Sequence, residues 1–107
     1  MPPKTQQPVK LILTYDILPE ALDSYYRFML GELVPAVQKL GLHMSGAWHT
    51  AYGNYPIRLV EFIADDRAAL TAVLDSSAWE QLETRLQEYI FNYHKKIVRL
   101  KDDQFQF

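Results

Sequence analysis

The first clear feature of the chain is an alternation of apolar and polar residues near its start. Apolar side chains occupy every odd position from Val9 to Ile17. The even positions are mixed: Lys10, Ile12, Thr14 and Asp16. Alternation with β-branched and aromatic residues is typical of a strand with one face on the core. We therefore predict a strand over residues 9–17 that buries its odd-numbered side chains.

A helical pattern follows this strand. Apolar residues recur at helical spacing: Leu22, Tyr26, Met29, Leu33, Val37 and Leu40. They form one stripe of an amphipathic helix, which begins near Pro19 and stops at Gly41. Pro35 lies inside the stripe and has no N–H to donate to the carbonyl of Gly31, so we predict a kink or a break near Gly31-Glu32.

The second half of the chain predicts a hairpin, a helical region and a last strand. Strand-like segments over residues 43–52 and 57–63 flank the turn signal Gly53-Asn54. A helical region then begins at Asp65-Asp66. It restarts at a second N-cap segment, Asp75-Ser76-Ser77, where Ser77 and Glu80 fit a capping box. Its apolar stripe continues to Tyr93 and places His94 at the helix end. Alternation returns over residues 96–100, which predicts the fourth strand.

The order strand, helix, strand, strand, helix, strand is the split arrangement of ferredoxin-like domains. We therefore predict an α+β fold, βαββαβ, with a four-stranded antiparallel sheet and both helices on one face. Residues 1–8 contain three prolines and are expected to form a flexible N-terminal arm. Residues 9–107 are expected to form a single ferredoxin-like domain.

The sheet face without helices is predicted to be an interface. Glu61 should point to it, because an unpaired carboxylate beneath the helices would be costly. Aliphatic residues share its side: Ile57, Leu59 and Ile63. Exposed apolar patches of this kind are rare on monomers. We expect a homodimer that closes two sheets face to face into a dimeric α/β barrel, with Phe105 and Phe107 of the tail adding to the interface.

Composition narrows the function classes. The chain has 107 residues and a formal charge of −2, so it has the size of one domain and lacks the basic face that nucleic acid needs. It has no cysteine, which excludes disulfides and thiolate chemistry. No apolar run approaches the ~20 residues of a membrane span, and no signal peptide is evident. We expect a cytoplasmic protein with neither a nucleic-acid nor a membrane partner.

Glu61 is the first candidate for a catalytic residue. It lies between Val60 and Phe62, where an apolar environment would suit a general base that takes a proton from an acidic carbon or a phenol. The alternative is structural. Glu61 would then form a salt bridge with Arg99 or Lys10 across the sheet.

The register of the hairpin decides which residues accompany Glu61. A two-residue turn at Gly53-Asn54 places Trp48 opposite Leu59 and on the side of Glu61. The same register adds further residues to that side: Met44, Gly46 and Thr50. A slip of one residue would bring in His49 instead, as a reserve acid or base.

Other residues complete the candidate site. Trp48 would stack on a flat ligand. Thr14 or Arg99 would hydrogen-bond a developing oxyanion, and Arg99 also suits a carboxylate ligand. No metal is expected, because the histidines lack metal-motif spacing: His43, His49 and His94. No phosphate loop or nucleophile elbow is present, so we expect no cofactor.

Several segments resemble NIPSNAP-like proteins of the dimeric α/β-barrel superfamily: residues 14–19, 46–54, 59–62, 66–67 and 75–79. The first is similar to that family's strand-to-helix entry and the second to its Gly-x-Trp strand and turn. The resemblance implies a homodimer with a pocket in each subunit. It implies no single activity, because members include uncharacterised proteins, haem-associated proteins, cofactor-independent monooxygenases and isomerases.

Three functional hypotheses follow. The first is a small-molecule pocket on the sheet face that serves cofactor-independent oxygenation or proton transfer of a small apolar or aromatic ligand. The second is a non-enzymatic interaction module whose purpose is its dimer. The third is haem binding, which is less well supported, because haem-degrading relatives use an Asn on the first strand where this chain offers Thr14 and Asp16.

Overall fold

The computed structural model describes the backbone of residues 7–52 and 55–99. It describes the side chains of the same residues except those of residues 49–57. The strands are β1 (Val9–Ile17), β2 (His43–Tyr52), β3 (Tyr55–Ala64) and β4 (Ile90–Arg99). The helices are α1 (Leu22–Phe28), α2 (Val34–Lys39), α3 (Arg67–Leu74) and α4 (Ser77–Leu86). All strands pair antiparallel in the order β2-β3-β1-β4. This is the predicted α+β ferredoxin-like fold.

The core lies between the sheet and the helices. β1 buries its odd positions, as predicted: Val9, Leu11, Leu13 and Tyr15. Large helical side chains pack in the same buried cluster: Tyr25, Phe28, Leu33, Leu70, Trp79 and Leu86. Burying one Leu or Phe side chain contributes ~1.5–3 kcal/mol, so this layer supplies most of the apolar stabilisation. The opposite face of the sheet is left without a helix from the described part of the chain.

The first helical region is divided where Pro35 predicts a kink. A single 3₁₀ turn (Pro19–Ala21) leads into α1, and a π-helical turn (Met29–Leu33) separates α1 from α2. Pro35 lies at the start of α2. Because its ring cannot fit against the carbonyl of Gly31 in a regular α-helix, the wider π turn absorbs the conflict. This π turn includes Gly31-Glu32, where the sequence predicted a kink or a break of the helix.

Each of the two later helices starts at a side-chain cap. Asp66 accepts a hydrogen bond from the backbone N–H of Ala69 at 2.8 Å. Ser76 Oγ accepts from the backbone N–H of Trp79 at 3.1 Å, so α4 is capped one residue earlier than the predicted Ser77. Such a cap satisfies one of the N–H groups that a helix start leaves free.

β4 begins at Ile90, well before the predicted residues 96–100. The backbone N–H of Leu18 donates to the carbonyl of Tyr89 at 2.9 Å, which ties this segment to the end of β1. Tyr93, assigned by sequence to the helical stripe, lies on the helix-facing side of β4 and donates to Glu83 of α4 at 2.8 Å. The spacing of Tyr93 from the apolar residues before it fits a helix as well as a strand, because in both its side chain would be buried against the core. His94 lies within the strand and not at a helix end.

Parts of the predicted arm and tail lie outside the described residues, namely residues 1–6 and 100–107, with Phe105 and Phe107 among them. Their roles stay predictions. In the described ranges, no helix is long and apolar enough to span a membrane.

Candidate functional site

The sheet face opposite the helices, here called the open face, collects the even positions of β1 and their ladder partners. Its described residues come from all four strands: Lys10, Ile12, Thr14, Asp16, His43, Gly46, Trp48, Leu59, Glu61, Ile63, His94, Lys96 and Val98. Glu61 points to this face, as predicted. The aliphatic members are half-buried by their neighbours alone, since no described helix packs over them.

A β-bulge in β2 brings Ser45 to Glu61. The ladder pairs Met44 with Phe62 and Gly46 with Glu61, so Ser45 is the extra residue. The bulge turns Met44 towards the core, against which it packs. The prediction that Met44 lines the open face is therefore wrong, because a strict period of two does not survive an inserted residue.

Trp48 is the most exposed aromatic residue among the described side chains of the open face. It pairs with Leu59, and Tyr52 pairs with Tyr55, which is the register that a two-residue turn predicts. The indole is 49% exposed. Its ring lies over Gly46, where a Cβ would collide with it. The missing side chain of Gly46 thus lets the indole lie against the sheet beside Glu61.

Glu61 forms an ion pair. Its Oε1 lies 3.2 Å from Lys10 Nζ and accepts a hydrogen bond from Ser45 Oγ at 3.2 Å. The Glu61 and Lys10 side chains are 15% and 24% exposed. Arg99, the other predicted partner, pairs with Val9 and so belongs to the helix-facing side of the ladder. The structure therefore supports the structural alternative, with Lys10 as the partner.

The structure brings three of the predicted site residues, Glu61, Trp48 and Thr14, to one face. Arg99 does not join them. His49 pairs with Arg58 in the ladder, and its side chain lies outside the described ones. The register that would have made His49 the reserve base is not the observed one.

A polar depression of about 270 Å³ lies at the β1–β4 end of the open face, lined by Thr14, Tyr15, Asp16, Asn92 and His94. Asp16 is 8% exposed. Its Oδ2 accepts a hydrogen bond from Asn92 Nδ2 at 2.9 Å, whereas Oδ1 is buried without a partner. The sequence placed both Thr14 and Asp16 on this face and named Thr14 as a site residue. It missed Asn92 and His94, because they were assigned to the helical region.

A cluster of tyrosines lies on the other side of the sheet. The hydroxyls of Tyr15 and Tyr25 are 2.5 Å apart, and the guanidinium of Arg58 lies 5.3 Å from the ring centre of Tyr26. Burial raises the pKa of Tyr15, Tyr25 and Tyr93. For Tyr25, burial outweighs the hydrogen bond with Tyr15, which alone would lower its pKa. These phenols therefore stay protonated in the folded protein.

Metal chemistry finds no support in the described side chains. No group of three or more His, Cys, Asp or Glu residues among them is arranged to hold a metal ion.

Solved structures of other proteins share this fold. An uncharacterised NIPSNAP domain protein from Burkholderia xenovorans aligns with a TM-score of 0.67 and 13% identity over 89% of this chain and 96% of that one. A NIPSNAP family protein from Agrobacterium tumefaciens aligns with a TM-score of 0.62 and 18% identity over 96% of this chain and 94% of that one. A Bacteroides thetaiotaomicron protein assigned as an antibiotic biosynthesis monooxygenase aligns with a TM-score of 0.59 and 13% identity over 89% of each chain.

No protein-family model matches the sequence, and neither does any curated protein. At such low identities the solved structures establish the fold and leave the activity open. The predicted resemblance to NIPSNAP-like proteins is confirmed at the level of the fold.

Proposed function

We propose that this chain, which has the ferredoxin-like fold of NIPSNAP proteins, acts as a homodimer that closes two open faces over a small-molecule pocket. The observation that carries the proposal is Trp48, an indole 49% exposed on an apolar sheet face without a described helix over it. Aromatic residues are enriched at the centres of protein interfaces and ligand pockets. Trp48 therefore marks where a partner sheet and a ligand would meet.

The apolar residues near Trp48 are grouped around Glu61. Leu59 is its ladder partner, and Ile63 lies further along the same side of β3. Ile12 faces Glu61 from β1. A second copy related by a two-fold axis would cover this surface, because such a dimer uses the same patch of both subunits.

The ion pair of Lys10 and Glu61 on the open face is compatible with closure. Lys10 and Glu61 already pair at 3.2 Å, so covering them would bury a neutralised pair, which is far less costly than a lone charge. Two copies would place two such pairs inside the barrel. The interior would then be apolar at its walls with a polar centre, as in pockets for small ligands.

Ligand binding is the activity that this geometry supports best. Trp48 offers a flat apolar wall for an aromatic ligand, and the Thr14 hydroxyl offers a hydrogen bond. Glu61 accepts from both Lys10 and Ser45, which suits an ion-pair role more than that of a free base. If the protein is an enzyme, it would catalyse cofactor-independent oxygenation or proton transfer of the bound ligand. If its dimer takes up no ligand, the protein would act as an interaction module.

The variant Trp48→Asp tests the interface. Truncating a central aromatic residue typically costs ~2 kcal/mol or more of binding free energy. A two-fold dimer contains Trp48 twice, so the loss is doubled and the dimer dissociation constant should rise about a thousandfold. Light scattering over a concentration series measures this. Leu30→Asp is the matched control, because Leu30 is 68% exposed in the helical layer and should leave the dimer unchanged.

Equal dissociation constants for the two variants would contradict the proposed interface. The pocket is tested separately by saturation-transfer NMR with 1-naphthol as the probe. We expect transfer to the probe with the wild type and its loss with Trp48→Asp. A stable dimer without transfer would favour the interaction module.

A further inference from the structure

The depression at the end of β1 contains a buried carboxylate that has no counter-ion among the described side chains. Asp16 is the one charged residue that is buried in the described part of the chain, at 8% exposure. It belongs to none of the ion pairs found there. Its Oδ1 is buried without a hydrogen bond. A buried carboxylate oxygen without a donor is destabilising, so an approaching donor would be favourable.

The local backbone holds Asp16 in this position. The β1–β4 ladder shifts register between Thr14 and Asp16, where β4 carries an extra residue. Asn92, at this bulge, adopts a left-handed backbone with φ of 55°, a conformation that non-glycine residues rarely adopt. In this conformation its amide reaches Asp16 Oδ2 at 2.9 Å. The bulge thus fixes one carboxylate oxygen, while the other is buried without a partner.

The lining of the depression indicates the chemistry of the ligand. Thr14 and His94 complete the polar wall, and neither Lys nor Arg lines the space. One carboxylate and one imidazole are too few for a metal ion, in line with the absence of a metal-ligating group among the described side chains. An anion would face the carboxylate unfavourably. A cationic hydrogen-bond donor fits both the charge and the unsatisfied oxygen.

We propose that this depression binds the protonated amino group of a small molecule, with Asp16 as its counter-ion. The torsion that orients an Asp carboxylate is soft, so a small rotation presents Oδ1 to the depression while Asn92 keeps its hydrogen bond. The Thr14 hydroxyl accepts a second hydrogen bond from the amine. A volume of about 270 Å³ lies just below the usual range of ~300–1,000 Å³ for ligand pockets, which limits the ligand to a small one.

This site does not depend on the proposed dimer, because all of its lining residues come from one chain. The probe is benzylamine, with benzyl alcohol and benzoate as its neutral and anionic counterparts. Titrations of ¹⁵N-labelled full-length protein are followed by NMR. We expect benzylamine to shift the amide signals of Thr14, Asn92 and His94, and benzoate to leave them unchanged. The variant Trp48→Asp should give the same result, which separates this site from the dimer pocket.

The variant Asp16→Asn should weaken benzylamine binding about tenfold or more, because the charge-assisted hydrogen bond is lost. The same variant should unfold at a higher temperature without ligand, since an uncompensated buried charge is removed. Asp65→Asn, at an exposed acid, is the control and should change neither measurement. Equal affinity of benzylamine for Asp16→Asn and wild type, or binding of benzoate or benzyl alcohol as tight as that of benzylamine, would overturn the proposal.

Discussion

At the scale of single residues, the polar groups at two places on the open face have different roles. Lys10, Ser45 and Glu61 satisfy one another on the open face. Asp16 keeps one oxygen without a partner. An unsatisfied buried group in a folded protein calls for an explanation, and a ligand site supplies one. Glu61 needs none, because its partners are already present.

The buried tyrosines predict how stability depends on pH. The pKa values of Tyr15, Tyr25 and Tyr93 are raised by burial above the value of about 10 that an unfolded chain has. The folded state therefore holds phenol protons that the unfolded state releases. Their contribution to stability is complete below pH ~10 and is lost as the pH rises above it.

Absorbance of phenolate during an alkaline titration checks this prediction. Of the seven tyrosines, we expect these three to ionise only together with unfolding, as followed by circular dichroism. Ionisation of all tyrosines in the folded protein near pH 10 would contradict the burial argument.

The sequence identified single residues only where local pattern determined them. Glu61 was assigned to the open face because its strand neighbours alternate with it. Asp16 and Asn92 are 76 positions apart in the chain, so no local spacing could reveal their hydrogen bond. Ser45 was missed for a related reason, since a bulge is a tertiary feature of the β2–β3 pairing.

At the scale of elements, the restart of the second helical region predicts a measurable difference between two neighbouring serines. Ser76 caps α4 through the N–H of Trp79 at 3.1 Å, whereas Ser77 is the first residue of the helix. Ser76→Ala should lower the free energy of unfolding by ~1 kcal/mol and the melting temperature by about 4–8 °C. Ser77→Ala is the matched control and should change little.

Urea unfolding of both variants measures the difference. A larger loss for Ser77→Ala would show that α4 starts at the cap the sequence pattern favours, one residue later. The error in the prediction is physical. Ser76 and Ser77 are equally good caps, and the packing of Trp79 in the core decides between them.

Elements with strong local signals were predictable, and those set by tertiary pairing were not. β1 and the kink at Pro35 were found because alternation and a missing N–H act locally. The start of β4 was missed because Ile90 and Tyr93 continue the apolar spacing of α4. Its pairing with β1, which matches Ile17 with Ile90, overrides that spacing.

At the scale of the whole molecule, one sheet face is covered by helices and the other is not. The covered face forms the core, and the open face combines half-buried aliphatic residues with an exposed Trp48. A surface of this kind is expected to meet a partner. A second copy of the chain is the partner that the internal charge balance of Lys10 and Glu61 favours, because each copy brings these two charges already paired.

Distances between spin labels test the pairing of the two open faces most directly. The chain has no cysteine, so Lys96→Cys on the open face and Lys39→Cys on α2 each provide a single labelling site. Sheets packed face to face lie about 10 Å apart. For a dimer that packs its open faces together, dipolar spectroscopy should find the Lys96→Cys labels closer together than the Lys39→Cys labels. Closer Lys39→Cys labels, or no coupling in either variant at high protein concentration, would contradict it.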